Sequence, residues 1–277
     1  MKLSNVLVMV VISLCAIEIV QVTSQEKIVG GVDAKPGQFP WQISLQLFFK
    51  GNWTHACGGS IIDKKHVLSA GHCVVDDTNK KHYRVIAGAH DISKESEPSR
   101  QTMDVCHISL HPNWTIYNHW DLSLVTLTKP LVYNDRVRPI RLAPVGADPE
   151  GQVCTTSGWG YRFYPEKKAN AGNTSDILQF INVTIMNQKE CGDILYPRHV
   201  SEICAYDPEG IRSPCFGDSG GPMACYDDKG PYLAGGVSWG RKCDKARSHI
   251  REYAWGSLLT DTTNLELLIR KAHHCFW

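Results

Sequence analysis

Short apolar or alternating runs, broken at close intervals by proline, glycine and polar residues, constrain the fold of this chain more than any other feature. They include WQISLQLF at 41–48, HVLSA at 66–70, YRVIA at 83–87, LSLVTL at 122–127, ILQFINVTI at 177–185 and LAGGV at 233–237. Their Val, Ile and Thr content suits a pleated, half-buried surface. Many short strands at regular spacing predict an all-β sandwich or barrel. One segment breaks the pattern: Leu265, Leu268, Ile269 and Ala272 fall at helical spacing behind Asn264, a capping residue type. A C-terminal helix is therefore expected at about 262–273.

The N-terminus reads as a secretory signal. Lys2 supplies positive charge before an apolar run at 6–16, and Thr23 and Ser24 follow, so cleavage is expected to remove residues 1–24. The run is too short for a membrane span. The mature protein is expected to be secreted, extracellular and soluble. Losing the signal removes Cys15 and leaves ten of the eleven cysteines, an even number that suits disulfides in an oxidising compartment. Four sequons fit the same route, at Asn52, Asn113, Asn173 and Asn182. A net charge of +1, from 29 basic and 28 acidic residues, argues against nucleic-acid or membrane partners.

Three stretches carry chemistry. Gly217-Asp218-Ser219-Gly220-Gly221 sets a serine in a glycine-rich turn where backbone N–H groups can face a carbonyl. A serine hydroxyl is a weak nucleophile and needs a base, which in turn needs an orienting group. His72 lies in Ser69-Ala70-Gly71-His72-Cys73, where a disulfide at Cys73 would fix the imidazole. Asp121 opens an apolar strand, so burial is expected, and a buried carboxylate requires a donor. His72 is a candidate for that donor. An α/β-hydrolase also uses Gly-x-Ser-x-Gly, with its acid and histidine after the serine. His249, His273 and His274 do follow Ser219, but a helix after the serine and alternating strands and helices before it do not.

In order along the chain, Lys27-Ile28-Val29-Gly30-Gly31, Leu68-Ser69-Ala70-Gly71-His72-Cys73, Asp121-Leu122-Ser123-Leu124, Ser157-Gly158-Trp159-Gly160, Gly217-Asp218-Ser219-Gly220-Gly221-Pro222 and Val237-Ser238-Trp239-Gly240 resemble the motifs of chymotrypsin-fold serine proteases. The resemblance covers about 28–243 and is nearest to chymotrypsin- and elastase-like members. It implies a protease domain at 28–277 built of two antiparallel six-stranded β-barrels, at about 28–140 and 141–260. It further implies Ser219 as nucleophile, His72 as base then acid, Asp121 as its orienter, and Gly217 and Ser219 N–H groups as the oxyanion hole. No metal or cofactor is implied. Many relatives carry a glutamate after the glycine matching Gly88, where calcium binds. This chain has Ala89, and Asp91, Glu95 and Glu97 read as a solvated loop.

The resemblance also makes Gln25-Glu26-Lys27 a short propeptide, cut after Lys27 by a trypsin-like protease so that the Ile28 amine pairs with Asp218. It implies disulfides Cys57–Cys73, Cys154–Cys225, Cys191–Cys204 and Cys215–Cys243, and places Cys106 with Cys275. The expected partners are protein or peptide substrates, the activating protease and protein inhibitors of a monomeric enzyme.

Substrate choice turns on the residue six before the nucleophile. Ser213 is neutral, so a cationic P1 side chain would lack a counter-ion there, and an apolar P1 is expected. Ser238, Trp239 and Gly240 would bind substrate as an added strand. Pro214 and the stretch after Cys243 depart from the family. An ungapped alignment sets Ile250 at the opposite pocket wall, whereas an insertion of about seven residues sets Gly256 or Ser257 there. The insert is basic through Arg241, Lys242, Lys245, Arg247 and Arg251. The alternative function is an impaired homologue that binds proteins without cutting them, although His72, Asp121 and Ser219 are all present.

Overall fold

A computed structural model describes residues 28–77, 79–116, 119–144, 146–161, 174–194, 201–240 and 243, and the backbone of 253–258. Lys27, Asn173, Cys275, the basic residues of the insert and the expected helix at 262–273 lie outside the described residues.

Six antiparallel strands close a barrel: β2 (Gln42–Phe49), β3 (Asn52–Ile61), β4 (His66–Ser69), β5 (Tyr83–Ala87), β6 (Gln101–Leu110) and β7 (Ser123–Leu127), in the order β2-β3-β4-β7-β6-β5. Closure leaves no unpaired edge. The period of two is plain in the pairs Ile43/Leu45, Val85/Ala87 and Val125/Leu127, which all enter one buried cluster. Each Val, Ile or Leu among them contributes about 1.5–3 kcal/mol by leaving water. The alternate residues of β2 are polar yet buried, because they bond to neighbouring parts of the protein. Gln42 accepts from Ser157 Oγ at 2.6 Å, Ser44 meets His55 at 2.7 Å, and Gln46 accepts from Arg84 Nε at 2.7 Å.

The second layer is an eight-stranded sheet of β1 (Val32–Asp33), β8 (Arg141–Leu142), β9 (Val153–Gly158), β10 (Gln179–Ile185), β11 (Glu202–Tyr206), β12 (Pro222–Asp227), β13 (Gly230–Gly240) and β14 (Tyr253–Leu258). β9 pairs with both β10 and β12, and β8 runs parallel to β13. β1 pairs with β10 in this sheet, although it precedes the barrel in sequence. That crossing carries the fully buried Ile28 into the second core. The helix α1 (Gln188–Ile194) starts where Asn187 Oδ1 accepts the N–H groups of Lys189 and Glu190 at 2.9 and 3.0 Å. Phe39, Trp41, Leu68, Leu124, Trp159, Leu178 and Leu233 form an apolar seam between barrel and sheet. Among the described residues no helix is long and apolar enough to cross a membrane.

Candidate active site

β4 ends at Ser69, and the turn that follows carries His72 to the start of β7. The Cys57–Cys73 disulfide ties this turn back to β3. His72 bonds Asp121 twice, through its backbone N–H to Oδ1 at 2.8 Å and through Nδ1 to Oδ2 at 2.6 Å. An ionised carboxylate only accepts, so Nδ1 carries a proton and is the donor. Ser238 Oγ donates to the same Oδ2 at 2.5 Å. Asp121 is 1% exposed. Burial alone would raise its carboxyl, but the His72 ring bond and charge, the Ser238 hydroxyl and the His72 N–H hold it below the ordinary aspartate value. Only glycine fits at Gly71, where a Cβ would lie 2.6 Å from Trp114 and 3.2 Å from Asp121 Oδ1.

Ser219 sits in a turn anchored on three sides. Its carbonyl accepts from Gly58 N–H of β3 at 2.8 Å, Gly220 N–H donates to Val237 at 2.6 Å, and Asp218 N–H donates to Cys215 at 2.9 Å. Gly217 and Gly220 hold φ of 94° and 76°, a region glycine alone enters freely. Among the described residues, neither the Gly217 nor the Ser219 N–H donates within the protein.

Two buried groups brace that turn. His55 is mostly buried, with its ring 5.9 Å from that of Trp159. Its Nε2 donates to the Gly217 carbonyl at 2.8 Å, and its Nδ1 accepts from Ser44 Oγ at 2.7 Å. Burial pushes its pKa down to about 4 against the smaller opposing effect of the Gly217 bond, which keeps the ring neutral. Asp218 is 1% exposed and accepts from Gly160 N–H and Cys215 N–H, each at 2.8 Å. Burial outweighs both bonds and raises its pKa to about 7. A Cβ on Gly158 or Gly160 would overlap the Asp218 carboxylate, so both positions are held to glycine. Val29 bridges Ser213, bringing the Ile28 end of the chain to the segment that runs on to Asp218.

Ser213 is buried and turns its hydroxyl onto the Pro214 carbonyl at 3.0 Å. The nearby acids are already committed. Asp207 accepts the N–H groups of Ile211 and Arg212 at 3.0 Å, and Glu209 is paired with the Arg212 guanidinium. Across from β13, the register sets Ala254 opposite Gly240, while Gly256 faces Val237 and Ser257 faces Gly236. A bulge between Val237 and Gly240 shifts the pairing there. Trp239 is 38% exposed beside it.

Disulfides join Cys57–Cys73, Cys154–Cys225, Cys191–Cys204 and Cys215–Cys243. Cys106 is also disulfide-bonded, and Cys275 lies outside the described residues. Asn52, Asn113 and Asn182 are exposed. Of Cys57, His72 and Cys73, grouped closely enough to suggest a metal, the two sulfurs are spent on each other.

The loop after Gly88 corrects one expectation. Asp91 is buried rather than solvated, and Glu97 accepts the N–H groups of His90 and Asp91 at 2.6 and 3.0 Å. Asp91 in turn holds Ser93 and the Lys94 ammonium. This donor set does not fit a calcium ion, since Lys94 already neutralises Asp91 and Glu97 is consumed by the backbone. The roles of His55, Ser44, Glu97 and the Ser238 hydroxyl were invisible in the sequence. The spacing Gln42-x-Ser44 before Thr54-His55 is the nearest thing to a signal, a run of polar residues inside apolar strands.

The sequence profile of the family described as Trypsin matches residues 28–254. Trypsin-1 of Astacus astacus is 41% identical over 222 residues, 78% of this chain and 90% of that protein. Coagulation factor IX of Cavia porcellus is 35% identical over 230 residues, 78% of this chain and 74% of its own length. Ovochymase-2 of Mus musculus is 34% identical over 241 residues, 83% of this chain but 38% of its own length.

Proposed function

The chain belongs to the trypsin family of serine proteases, and from that premise we propose that it is a secreted endopeptidase selective for apolar P1 residues. It is made with a signal at 1–24 and a propeptide at 25–27. Cutting after Lys27 frees the Ile28 amine to pair with Asp218. A buried carboxyl poised near neutrality, braced by two N–H groups and with no cation beside it among the described residues, is what such an amine would complete. The pairing of β9 with both β10 and β12 supports reading the second sheet as a second barrel. N-glycans at the four sequons belong to the same secretory reading.

The observation that carries the catalytic reading is the His72–Asp121–Ser238 cluster beside the anchored Ser219 turn. Ser219 Oγ attacks the scissile carbonyl as its proton passes to His72 Nε2. Asp121 stabilises the imidazolium that forms and keeps the ring oriented. The N–H groups of Gly217 and Ser219 receive the oxyanion, and each is worth about 3–4 kcal/mol in the transition state. His72 then protonates the leaving amine, and water releases the acyl group by the reverse sequence.

Apolar specificity rests on Ser213. Its hydroxyl carries no charge, and Asp207 and Glu209 are engaged by Arg212, so a buried P1 ammonium or guanidinium would be left unpaired.

The test is P1 profiling after cleavage at Lys27, with organophosphate labelling read at Ser219. Labelling with kcat/KM at least about 10²-fold higher for Leu or Phe than for Lys or Arg fits the proposal. Labelling with a basic preference overturns the specificity. No labelling of processed, folded protein overturns catalysis and favours the protein-binding homologue.

A further inference from the structure

We propose that Asn113 carries an N-glycan that screens one lip of the cleft, admitting peptides while slowing attack on bulky folded proteins. This deepens the proteolytic reading above and rests on it.

Among the described residues, three sequon asparagines are exposed, but they sit differently with respect to His72 and Ser219. Asn52 heads β3, and Gly58, the residue that bonds Ser219, comes six residues later, about 20 Å along an extended strand. The Asn182 carboxamide is tied into the sheet, where its Oδ1 accepts from Thr155 Oγ1 at 3.0 Å. Asn113 instead occupies the loop that covers the His72 turn. Its neighbour Trp114 lies against Gly71, so closely that a Cβ there would fall 2.6 Å from Cδ1 and 2.9 Å from Nε1 of the indole. Gly71 directly precedes His72.

The attachment point is held firmly. Asn113 N–H donates to His111 Nδ1 at 3.2 Å, Trp114 N–H to the His111 carbonyl at 2.9 Å, and Thr115 N–H to the His119 carbonyl at 3.2 Å. His111 N–H in turn donates to the Leu122 carbonyl at 2.9 Å, next to Asp121. Among the described residues the Asn113 carboxamide bonds to nothing, so modifying it breaks no contact of the cluster. Its nitrogen displaces a lipid diphosphate from the anomeric carbon of a lipid-linked oligosaccharide. One N–C bond forms, the C–O bond to diphosphate breaks with its electron pair on the leaving group, and the amide loses one proton. A hydrated, branched sugar fixed here excludes volume beside the cleft without touching His72, Asp121 or Ser219.

The experiment uses the full chain expressed in a eukaryotic secretory host and cut at Lys27, as wild type, Thr115→Ser, Thr115→Ala and Asn113→Gln. Peptide mapping should find sugar at Asn113 in the wild type and Thr115→Ser alone. All four should cleave a short peptide amide with kcat/KM within about twofold, while a folded protein substrate is cut roughly fivefold or more faster by the two sugar-free variants. Glycosidase treatment of the native wild type should raise folded-protein cleavage to the level of treated Asn113→Gln, which separates the sugar from any folding defect. An active enzyme with unmodified Asn113, or with equal changes on peptide and protein, overturns this inference alone. Folded, processed protein that cleaves neither substrate overturns the proteolytic reading and this inference together.

Discussion

Ser238 donates its hydroxyl to Asp121 Oδ2 at 2.5 Å, on the oxygen that also receives the His72 ring proton at 2.6 Å. The carboxylate is therefore held by donors from both layers of the protein, one from the barrel turn and one from β13. Removing the hydroxyl by Ser238→Ala should lower kcat/KM roughly 10–150-fold, the value of one bond to a charged acceptor. The folded Asp121 carboxyl sits below its unfolded value of 3.8, so its stabilisation is present above pH 3.8 and is lost as pH falls below it. The variant should be less stable than wild type at pH 7, and the gap should close as pH drops below about 3.8. Urea midpoints at pH 7 and pH 3 check this, and a gap unchanged by acid would contradict it.

His55 and Asp218 brace one turn and titrate in opposite senses. The His55 pKa falls from 6.5 to about 4, so the folded ring stays neutral while the unfolded chain gains a proton. That costs stability as pH falls from 6.5 to 4, by about 3 kcal/mol at about 1.4 kcal/mol per unit. The Asp218 pKa rises from 3.8 to about 7, so the folded chain keeps a proton that the unfolded chain has lost. That costs stability as pH rises through the same window, by about 4 kcal/mol at most. The two slopes nearly cancel while the Lys27–Ile28 bond is intact. In a Lys27→Gln background, Asp218→Asn should expose a loss of stability on acidification, and His55→Gln a gain. Two variants that both follow the parent's pH profile would refute the pairing.

Gly160 lies where any Cβ would overlap the Asp218 carboxylate. Gly160→Ala should displace Asp218, break the 2.8 Å bond from the Gly160 N–H and shift the Ser219 turn. A stability loss of about 1–3 kcal/mol is expected from overpacking. Activity should fall about 10²-fold, mainly in kcat, as positioning is lost. Gly192→Ala is the control. It lies in α1 with no atom within 4 Å of the added Cβ, and should be neutral or stabilising by up to about 1 kcal/mol.

Local motifs made part of this site legible in advance. His72 beside Cys73, Asp121 at the head of an apolar strand and Ser219 among glycines each announce themselves within a few residues, and the alternating runs show where the barrel strands lie. The remainder depends on contacts distant in sequence. His55 meets Gly217 across 162 positions and Ser238 meets Asp121 across 117, and neither histidine nor serine is marked locally for that task. The register of the strand after Cys243 is hidden for a related reason. A bulge in β13 moves the facing residue to Ala254, and bulges leave no signature in a glycine-rich strand.

Glu97 is the sharpest case of a residue whose role only the fold reveals, since from sequence it belongs to a polar loop. Its carboxylate closes the loop by accepting from His90 and Asp91 N–H groups, and Lys94 lies 3.0 Å from Asp91. An internal carboxylate thus binds the loop backbone, and an internal ammonium supplies the positive charge that a cation would bring. Glu97→Ala should cost about 1.5–3 kcal/mol, because two part-buried N–H groups lose a charged acceptor. Glu97→Gln, which keeps one oxygen, should cost less. Millimolar calcium should leave the melting temperature of the wild type unchanged, as linkage requires when no site exists. Thermal unfolding of the three proteins with calcium and with chelator measures all of this. A calcium-dependent rise in the wild type, or a Glu97→Ala variant as stable as its parent, would show that the loop is held in some other way.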